Sequence, residues 1–261
     1  MIAEHDRSEA GTAGNGTRDE ERYLPIFAFA GRSAVLARIW RRVFGADYPE
    51  ELDPFGFVTV GDLRAIKGAL AIGHGDLLVD VGCGKGGPGL WMAREIGARL
   101  VGIDILDAAI EQARRFARGF ELAFPCRFET GSFVRTRLPD ASADAVMSID
   151  SFWMVNDPGA ALEEIRRVLA TRARFAFTTW EPLLSDLRAQ LADHGFDVLR
   201  YDETPGWLER QLAVYQQILA SRDELSLEIG AGPAAILIAE AESVPARLEN
   251  TPRVLVVAER A

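Results

Sequence analysis

Cysteine and histidine are scarce in this 261-residue chain, which has two cysteines, Cys83 and Cys126, and three histidines. The cysteines are far apart in sequence, so they form neither a disulfide framework nor the paired thiols of a zinc site, and we expect no metal. Free cysteines suit a reducing compartment, and we predict a cytoplasmic protein. His5, His74 and His194 lie in the N-terminal tail, in a loop and at a helix end, where we expect structural or solvent roles.

Long apolar runs are also missing. The longest candidates, such as residues 234–239, are far too short to cross a bilayer, so we expect a soluble protein with no membrane partner. The first 22 residues are polar and acidic, without the basic and apolar regions of an export signal. We expect residues 1–22 to be a disordered tail that carries no chemistry.

Positive charge is in deficit, with 29 lysines and arginines against 39 acidic residues and a formal net charge of -10. Such a chain repels a phosphate backbone unless one face is locally basic. The clearest basic cluster, Arg38, Arg41 and Arg42, alternates with apolar residues at helical spacing, which is typical of a solvated helix face. Nucleic acid is therefore not an expected partner.

Apolar residues make up 48% of the chain, enough to form a substantial core. From residue 77 onward, short apolar runs alternate with amphipathic stretches, as in the strands and crossover helices of a parallel sheet. The predicted strands are 77–81, 100–103, 127–129, 145–149, 174–178, 197–201 and 254–257. The predicted helices among them are 90–96, 108–117, 160–169, 186–194, 207–220 and 231–241.

We predict an α/β fold with a doubly wound, mostly parallel seven-stranded sheet and an antiparallel last strand. Residues 23–72 form an N-terminal helical lid segment, and residues 73–203 form the Rossmann-like core. Residues 204–252 form a helical insertion before the last strand, 253–261. Because long connections in compact domains are usually functional, we expect the insertion to roof a site; the alternative is a homodimer interface or a plain buttress.

A glycine-rich turn follows the first predicted strand, in the segment LLVDVGCGKGGPGL at 77–90. Glycine permits positive φ and close approach of a ligand to backbone N–H groups. Pro88 suits the first turn of the helix that follows. The turn predicts a nucleotide-like ligand, although a glycine-rich turn can also be purely structural.

Two aspartates decide which ligand the turn favours. Gly82, Gly84 and Gly87 satisfy the G-x-G-x-x-G spacing of an NAD site, but Asp80 would oppose the anionic pyrophosphate of NAD. S-adenosylmethionine carries an ammonium and a sulfonium instead, so a nearby carboxylate is favourable. Asp104 ends the second strand, where it can accept hydrogen bonds from ribose hydroxyls. We therefore predict S-adenosylmethionine as the cofactor.

With this D-x-G-C-G-x-G turn, the segment from residue 55 to 180 resembles the class I methyltransferases, in the small-molecule branch of ubiquinone, sterol and natural-product tailoring enzymes. The resemblance implies that the methionine part of the cofactor lies against Asp80, Gly82, Cys83, Gly84 and Gly86. It also implies that Asp104 and Ile105 hold the ribose and adenine.

Other site residues also follow from this resemblance. The family commonly has a Gly-Asp pair after its third strand, where this chain has Gly131 and Ser132, so the adenine contact moves to a backbone group or a neighbour. Phe133 is expected to stack on or cover the adenine. Asp150 and Ser151 follow the fourth strand and should face the cofactor, and Phe55 and Phe57 are candidate lid residues that close over the cofactor, with Phe57 in contact with it.

No general base can be transferred from the family, because Trp153 and Met154 occupy the positions of the histidine pair that some relatives have. Asp150 is the remaining candidate for orienting or deprotonating an acceptor; the competing interpretation is a carboxylate that only contacts the cofactor or caps the loop. Trp153, Trp180 and Trp207 are expected at the carboxyl edge of the sheet, as the walls of an acceptor site.

These expectations describe a methyltransferase acting on an O, N or C atom of a small, fairly apolar metabolite, with positioning as the main requirement. An NAD-dependent oxidoreductase is one alternative, which Asp80 disfavours. A protein that binds S-adenosylmethionine for a non-methylating reaction is the other.

Overall fold

The computed structural model describes residues 33–52, 56–181 and 186–261. The predicted tail, His5 and the candidate lid residue Phe55 lie outside the described residues. Within the described ranges, no helix combines the length and hydrophobicity that a bilayer span needs.

Seven strands form a single sheet in the order β3-β2-β1-β4-β5-β7-β6. Their bounds are β1 Leu77–Val81, β2 Arg99–Asp104, β3 Cys126–Thr130, β4 Ala143–Ile149, β5 Leu169–Trp180, β6 Phe196–Glu203 and β7 Arg253–Arg260. The first five strands pair in parallel, whereas β7 runs antiparallel to both of its neighbours. This arrangement confirms the predicted doubly wound, mostly parallel sheet with an antiparallel last strand.

The helices are α1 Ala34–Phe44, α2 Val60–Ala69, α3 Gly87–Ile96, α4 Asp107–Phe116, α5 Pro158–Val168, α6 Leu187–Asp193, α7 Trp207–Ala220, α8 Arg222–Ile229, α9 Ala231–Ser243 and α10 Pro245–Leu248. Buried side chains of α2, α3 and α4 share one core with the sheet, and those of α5 and α6 share another core. Each of these helices contributes apolar residues at helical spacing, so the sheet is covered on both faces.

The helical insertion does not stand alone, because α1 packs with α7, α8 and α9 around a third core. The Glu228 carboxylate of α8 accepts hydrogen bonds from Ser33 and from the backbone N–H groups of Ala34 and Val35 at the start of α1. A carboxylate suits this position because helix N-termini have unpaired N–H groups and a partial positive charge. Helix α1 and the insertion thus pack together as one helical cap.

Element boundaries differ from the sequence prediction mainly around β5. We predicted a strand only at 174–178, but the strand starts at Leu169, directly after α5. Among the added residues Leu169 is buried, but Thr171 and Arg172 are polar and exposed, so the segment 169–173 lacks the continuous apolar pattern that marks a buried strand. Helix α8 was missed for the same reason, since its sequence RDELSLEI is dominated by charge.

Candidate functional site

The glycine turn after β1 adopts backbone conformations that other residues rarely tolerate. Gly82, Gly84 and Gly86 all have positive φ, between 53° and 82°. A Cβ on Gly82 would lie 2.6 Å from the Cβ of Ser151, and one on Gly86 would lie 2.7 Å from the ring of Phe128. Both distances are too short for real atoms, so the turn requires glycine for steric as well as conformational reasons.

Asp80 lies on β1 beneath this turn and is 2% exposed. Its Oδ1 atom has no hydrogen-bond partner among the described residues, while the backbone of Gly89 hydrogen-bonds the carboxylate. Burial, and then the charge of Asp104, raise the pKa of Asp80 to about 7. A buried carboxylate with a free oxygen atom is energetically costly unless a cation or donor binds it.

Asp104 is fixed at the end of β2. Its Oδ2 accepts a hydrogen bond from Gly84 N at 2.8 Å, and its Oδ1 accepts one from Leu106 N at 3.0 Å. Burial raises the pKa of Asp104, although these backbone hydrogen bonds lower it. The carboxylate therefore has a fixed orientation next to the turn, and Ile105, which follows it, is partly exposed.

The segment after β3 approaches the turn from the other side. Gly131 donates its N–H to the carbonyl of Asp104 at 3.0 Å, which joins the ends of β2 and β3. The ring of Phe133 would lie 3.2 Å from a Cβ on Gly82, so this ring packs over the turn. Ser132 bridges to Arg135 through backbone hydrogen bonds, which tightens the loop.

Ser151 joins the loop after β4 to the same turn. Its hydroxyl donates to the carbonyl of Gly82, with an alternative acceptor at the carbonyl of Ile149, both at 3.0 Å. Cys83 is buried beside Gly102, and burial raises the pKa of its thiol well above the usual value. Cys83 therefore serves as packing rather than as a nucleophile.

Asp150 is already occupied by partners within the protein. Its Oδ1 accepts hydrogen bonds from Arg253 Nε at 2.9 Å and Thr178 Oγ1 at 2.7 Å. Its Oδ2 accepts one from the backbone N–H of Phe57 at 3.3 Å. Because both carboxylate oxygens already accept hydrogen bonds from within the protein, the geometry favours the loop-capping interpretation over the catalytic one.

Arg253 is a site residue that the sequence analysis missed. It starts β7, is 1% exposed, and forms ion pairs with both Asp150 and Asp62 at 2.9 Å. An arginine at the head of the otherwise apolar run VLVV would have been the one available hint, since buried arginines are almost always paired.

Aromatic rings from segments that are distant in sequence lie together beside the loop after β4. The ring centroid of Phe57 lies 5.8 Å from that of Trp180 and 6.0 Å from that of Tyr215, and Trp153 lies 6.0 Å from Trp180. Trp40 also contacts Phe57, at 6.2 Å. We call Phe57, Trp153 and Trp180 the aromatic wall; the sequence analysis named these three but missed Trp40 and Tyr215.

Trp207 is placed differently from the other two predicted tryptophans. It packs in the core of the helical cap, 8% exposed, and its indole N–H donates to Glu203 at 3.2 Å. Trp153, by contrast, is 49% exposed. The expectation that Trp207 binds acceptor stays a prediction, and its burial favours a packing role.

The polar atoms behind the aromatic wall are already satisfied. The indole N–H of Trp180 donates to Gln211 at 3.0 Å, and that of Trp153 donates to the carbonyl of Asp150 at 2.9 Å. Gln211 in turn donates to the Tyr215 hydroxyl, which donates to Glu240 at 2.9 Å. Burial raises the pKa of Tyr215, so this hydroxyl stays protonated.

The residues at the turn fit S-adenosylmethionine. Asp80 offers a buried, unpaired carboxylate oxygen to a cation, Asp104 offers a fixed acceptor for hydroxyls, and the glycines leave room where a Cβ would clash. Among the described residues, no group of three or more His, Cys, Asp or Glu side chains is arranged to hold a metal ion.

Comparison with known proteins finds a family that matches the turn and the strands around it. Residues 79–177 match the family described as methyltransferase domain. Sterol 24-C-methyltransferase of Eremothecium gossypii is 35% identical over 109 residues, which cover 42% of this chain and 29% of that enzyme. The chain thus matches less than a third of this curated relative.

Solved structures extend the likeness of the fold beyond this segment. The [4+2]-cyclase SpnF superposes with a TM-score of 0.75 and 18% identity, covering 97% of this chain and 99% of that one. A geranyl diphosphate methyltransferase in complex with SAM gives a TM-score of 0.60 and 18% identity, covering 78% of this chain and 86% of that one. Residues 79–177 thus match a methyltransferase domain, and the glycine turn with its two acids lies within the matched residues.

Proposed function

We propose that the chain transfers the methyl group of S-adenosylmethionine to an O, N or C atom of a small, fairly apolar metabolite. One observation carries the proposal: the loop after β4 serves both halves of the site. Ser151 of this loop donates to the carbonyl of Gly82 in the cofactor turn, and Trp153, two residues later, contacts Trp180 of the aromatic wall. An acceptor against the wall would therefore lie next to the cofactor.

The protein's own residues would bind and orient the two reactants. Asp80 and Asp104 would hold the ammonium and the ribose hydroxyls, and Phe133 would cover the turn. The bound cofactor supplies an electrophilic methyl group. Positioning is then the main contribution to rate, because an in-line displacement needs alignment more than it needs a base.

No histidine of the described residues joins this site. His74 contacts Phe124, and His194 lies at the end of α6 with its Nδ1 against the carbonyl of Gln190. Asp150 is held by Arg253. The proposal therefore includes an acceptor that loses its proton readily or loses it to water.

The aromatic wall indicates the chemical class of the acceptor. Because the indole N–H groups of Trp153 and Trp180 already donate within the protein, the wall offers ring faces and edges rather than hydrogen bonds. Such a surface favours an apolar or unsaturated carbon skeleton over a sugar or a free amino acid. One relative is named for a compound of this kind, a sterol 24-C-methyltransferase.

A non-methylating reaction on bound S-adenosylmethionine is the second candidate. It is favoured by the structural neighbour that is named a [4+2]-cyclase and matches nearly the whole chain. The missing histidine pair is compatible with it. An NAD-dependent oxidoreductase is not proposed, because the family match and Asp80 both oppose it.

The remaining expectations stay predictions. Gln211 and Tyr215 of the insertion contact Trp180 and Phe57, which supports a roof over the site, and a homodimer and a cytoplasmic location are further parts of the proposal. The division into a lid segment, a core and an insertion is likewise part of the proposal.

Two measurements test the proposed function. Mass spectrometry of the ligand that copurifies should find S-adenosylmethionine or S-adenosylhomocysteine; finding NAD would refute the proposal. Transfer of tritium from labelled S-adenosylmethionine should then be assayed with a panel of terpenoid, phenolic and polyketide acceptors, with the Asp104→Ala variant as the control. Cofactor binding together with turnover of a polyene substrate without tritium transfer would favour the second candidate.

A further inference from the structure

Arg253 connects three parts of the chain that are distant in sequence. Its Nη1 donates to Asp62 in α2 at 2.9 Å and to Thr204, the first residue of the insertion, at 3.0 Å. Its Nε donates to Asp150, in the loop after β4, at 2.9 Å. The N-terminal segment, the insertion and the core sheet therefore share one buried guanidinium.

The charges at this point depend on each other. Arg253 and Asp62 are 1% and 4% exposed, and Asp150 has only 9% of its side chain exposed. One cation thus lies between two carboxylates in a region that is largely shielded from water, with a net charge of −1. Removing the cation would leave two buried anions unpaired, which is far less favourable than the paired arrangement.

Asp150 needs this support because its backbone is strained. Its φ is +55°, in the left-handed region that residues with a Cβ seldom occupy. Besides the Arg253 ion pair, it is held by Thr178, whose carbonyl accepts the Asp150 N–H at 3.0 Å and whose hydroxyl binds the carboxylate. Strain of this kind persists only where the surroundings fix it, and such residues concentrate at functional sites.

Asp150 contacts residues of both the cofactor half and the acceptor half of the proposed site. The Asp150 carboxylate accepts the N–H of Phe57, and its carbonyl accepts the indole N–H of Trp153. The next residue, Ser151, holds the carbonyl of Gly82 in the cofactor turn. A change in the conformation of Asp150 would therefore move the aromatic wall and the cofactor turn together.

We infer that Arg253 is a positioning residue: by pairing with Asp62 and Asp150 it keeps the loop after β4 in the conformation that places Ser151 against the cofactor turn and Trp153 against the aromatic wall. The inference rests on the proposed function in one respect only, that the turn binds S-adenosylmethionine. The fork of the guanidinium is essential to the role, because Nε and Nη1 serve different carboxylates and an ammonium group has one nitrogen.

The test compares three variants of the full chain. Arg253→Met removes the charge, Arg253→Lys keeps the charge but not the fork, and Arg174→Met is the control. Arg174 also pairs with an acid of β7, Glu259, but at the opposite end of that strand. Two measurements are the dissociation constant of S-adenosylhomocysteine, by calorimetry, and the midpoint of thermal unfolding. The third is the quenching of Trp153 fluorescence by acrylamide. The Trp153 signal is obtained by subtracting the fluorescence of the same variant with Trp153→Phe added.

We expect Arg253→Met and Arg174→Met both to lower the thermal midpoint. Only the Arg253 variants should weaken S-adenosylhomocysteine binding, by about tenfold, and make Trp153 more accessible to acrylamide. Relative to Arg253→Met, the Arg253→Lys variant should regain more of the thermal midpoint than of the affinity for S-adenosylhomocysteine. A folded Arg253→Met protein with affinity within about twofold of wild type and unchanged quenching would overturn the inference.

A second variant covers the case in which Arg253→Met does not fold. Asp150→Asn keeps the shape of the side chain and leaves Arg253 paired with Asp62, and it should produce the same loss of affinity and the same change in quenching. If the wild-type protein does not bind S-adenosylhomocysteine, the proposed cofactor is wrong, and the quenching of Trp153 alone decides whether Arg253 positions the loop.

Discussion

The two halves of the site are built in different ways. The cofactor half comes mostly from one segment, residues 77–90, with Asp104 from the next strand, and its shape depends on backbone conformation. The acceptor half comes from side chains of Phe57, Trp153 and Trp180, which three different elements bring together. A local sequence motif encodes the first half, while the second exists only after the chain has folded.

The two halves also differ in what they contribute to stability. The cofactor turn has two buried carboxylates and several residues with positive φ, features that are unfavourable without a ligand. Phe57 and Trp180 pack on the core of the helical cap, and the indole N–H groups of Trp153 and Trp180 are paired. We therefore expect changes in the cofactor half to trade stability against binding, and changes in the acceptor half to act mainly on turnover.

The largest effect is expected for Asp80→Asn, as a change in the pH dependence of stability. The pKa of Asp80 is about 7 in the folded protein, above its usual value, so the unfolded chain releases this proton first as the pH rises. Stability is therefore lost between about pH 4 and pH 7, by up to about 4 kcal/mol. Asp80→Asn should remove most of this loss while weakening cofactor binding.

Urea unfolding at pH 5 and pH 8 measures the effect. The variant should be more stable than wild type at pH 8 and closer to wild type at pH 5. Some pH dependence of stability should remain in the variant, because burial also raises the pKa of Asp104. If the free energy of unfolding changed by the same amount between pH 5 and pH 8 in Asp80→Asn and in wild type, the raised pKa of Asp80 would be wrong.

Gly82→Ala should have the next largest effect. The added Cβ would lie 2.6 Å from Ser151 and would sit at a φ of +72°, so we expect a loss of about 2–4 kcal/mol of stability together with cofactor binding. Gly45→Ala is the matched control, because Gly45 has a φ of +54° with nothing within 4 Å. It should show only the conformational cost of about 1 kcal/mol. If denaturant unfolding showed equal losses of stability for Gly82→Ala and Gly45→Ala, the contact between the added Cβ and Ser151 would be excluded as a cause.

Asp104→Ala should weaken S-adenosylmethionine binding by about 1.5–3 kcal/mol, the scale of a charged hydrogen-bonding group. The variant also removes the acceptor for Gly84 N, which loosens the turn. Titration calorimetry measures the affinity, with Asp76→Ala as a control that loses only a hydrogen bond from Gly73. An Asp104→Ala protein with unchanged affinity would remove Asp104 from the cofactor site.

Trp153→Ala should have the smallest effect, and on a different quantity. We expect a decrease of roughly tenfold in kcat/KM for the acceptor, about 1.4 kcal/mol, with cofactor affinity within about threefold of wild type. Trp207→Phe is the comparison, because Trp207 packs in the cap and should affect stability more than turnover. Loss of cofactor affinity in a folded Trp153→Ala protein would place Trp153 in the cofactor half.

The difference between the halves explains what the sequence could predict. The strand at 77–81 and the helix at 207–220 were predicted with the bounds that the structure has, because both have clear periodicity and clear ends. Asp80 and Asp104 were recognisable because they lie at fixed distances from a local turn. Their burial and the unpaired oxygen of Asp80 agree with a cofactor site.

The role of Arg253 could not be predicted, since its partners Asp62 and Asp150 are far away in sequence. Asp150 was named as a candidate base because the sequence shows its position after the fourth strand but does not show its ion pair with Arg253. Trp207 was grouped with Trp153 because both follow strands, although its side chain packs into the cap. Long-range contacts decide the role in each case, and no local pattern records them.

The position of β7 within the sheet has a consequence for the order of assembly. β7 lies between β5 and β6, and its pairing with β5 joins residues on either side of the whole helical insertion. Pairing over such a distance is slow, because the loop must close before any contact forms. Since β6 pairs with β7 in the sheet, we expect the edge formed by β6 to dock late in refolding, with Arg253, the first residue of β7, carrying its charge into the interior at that step.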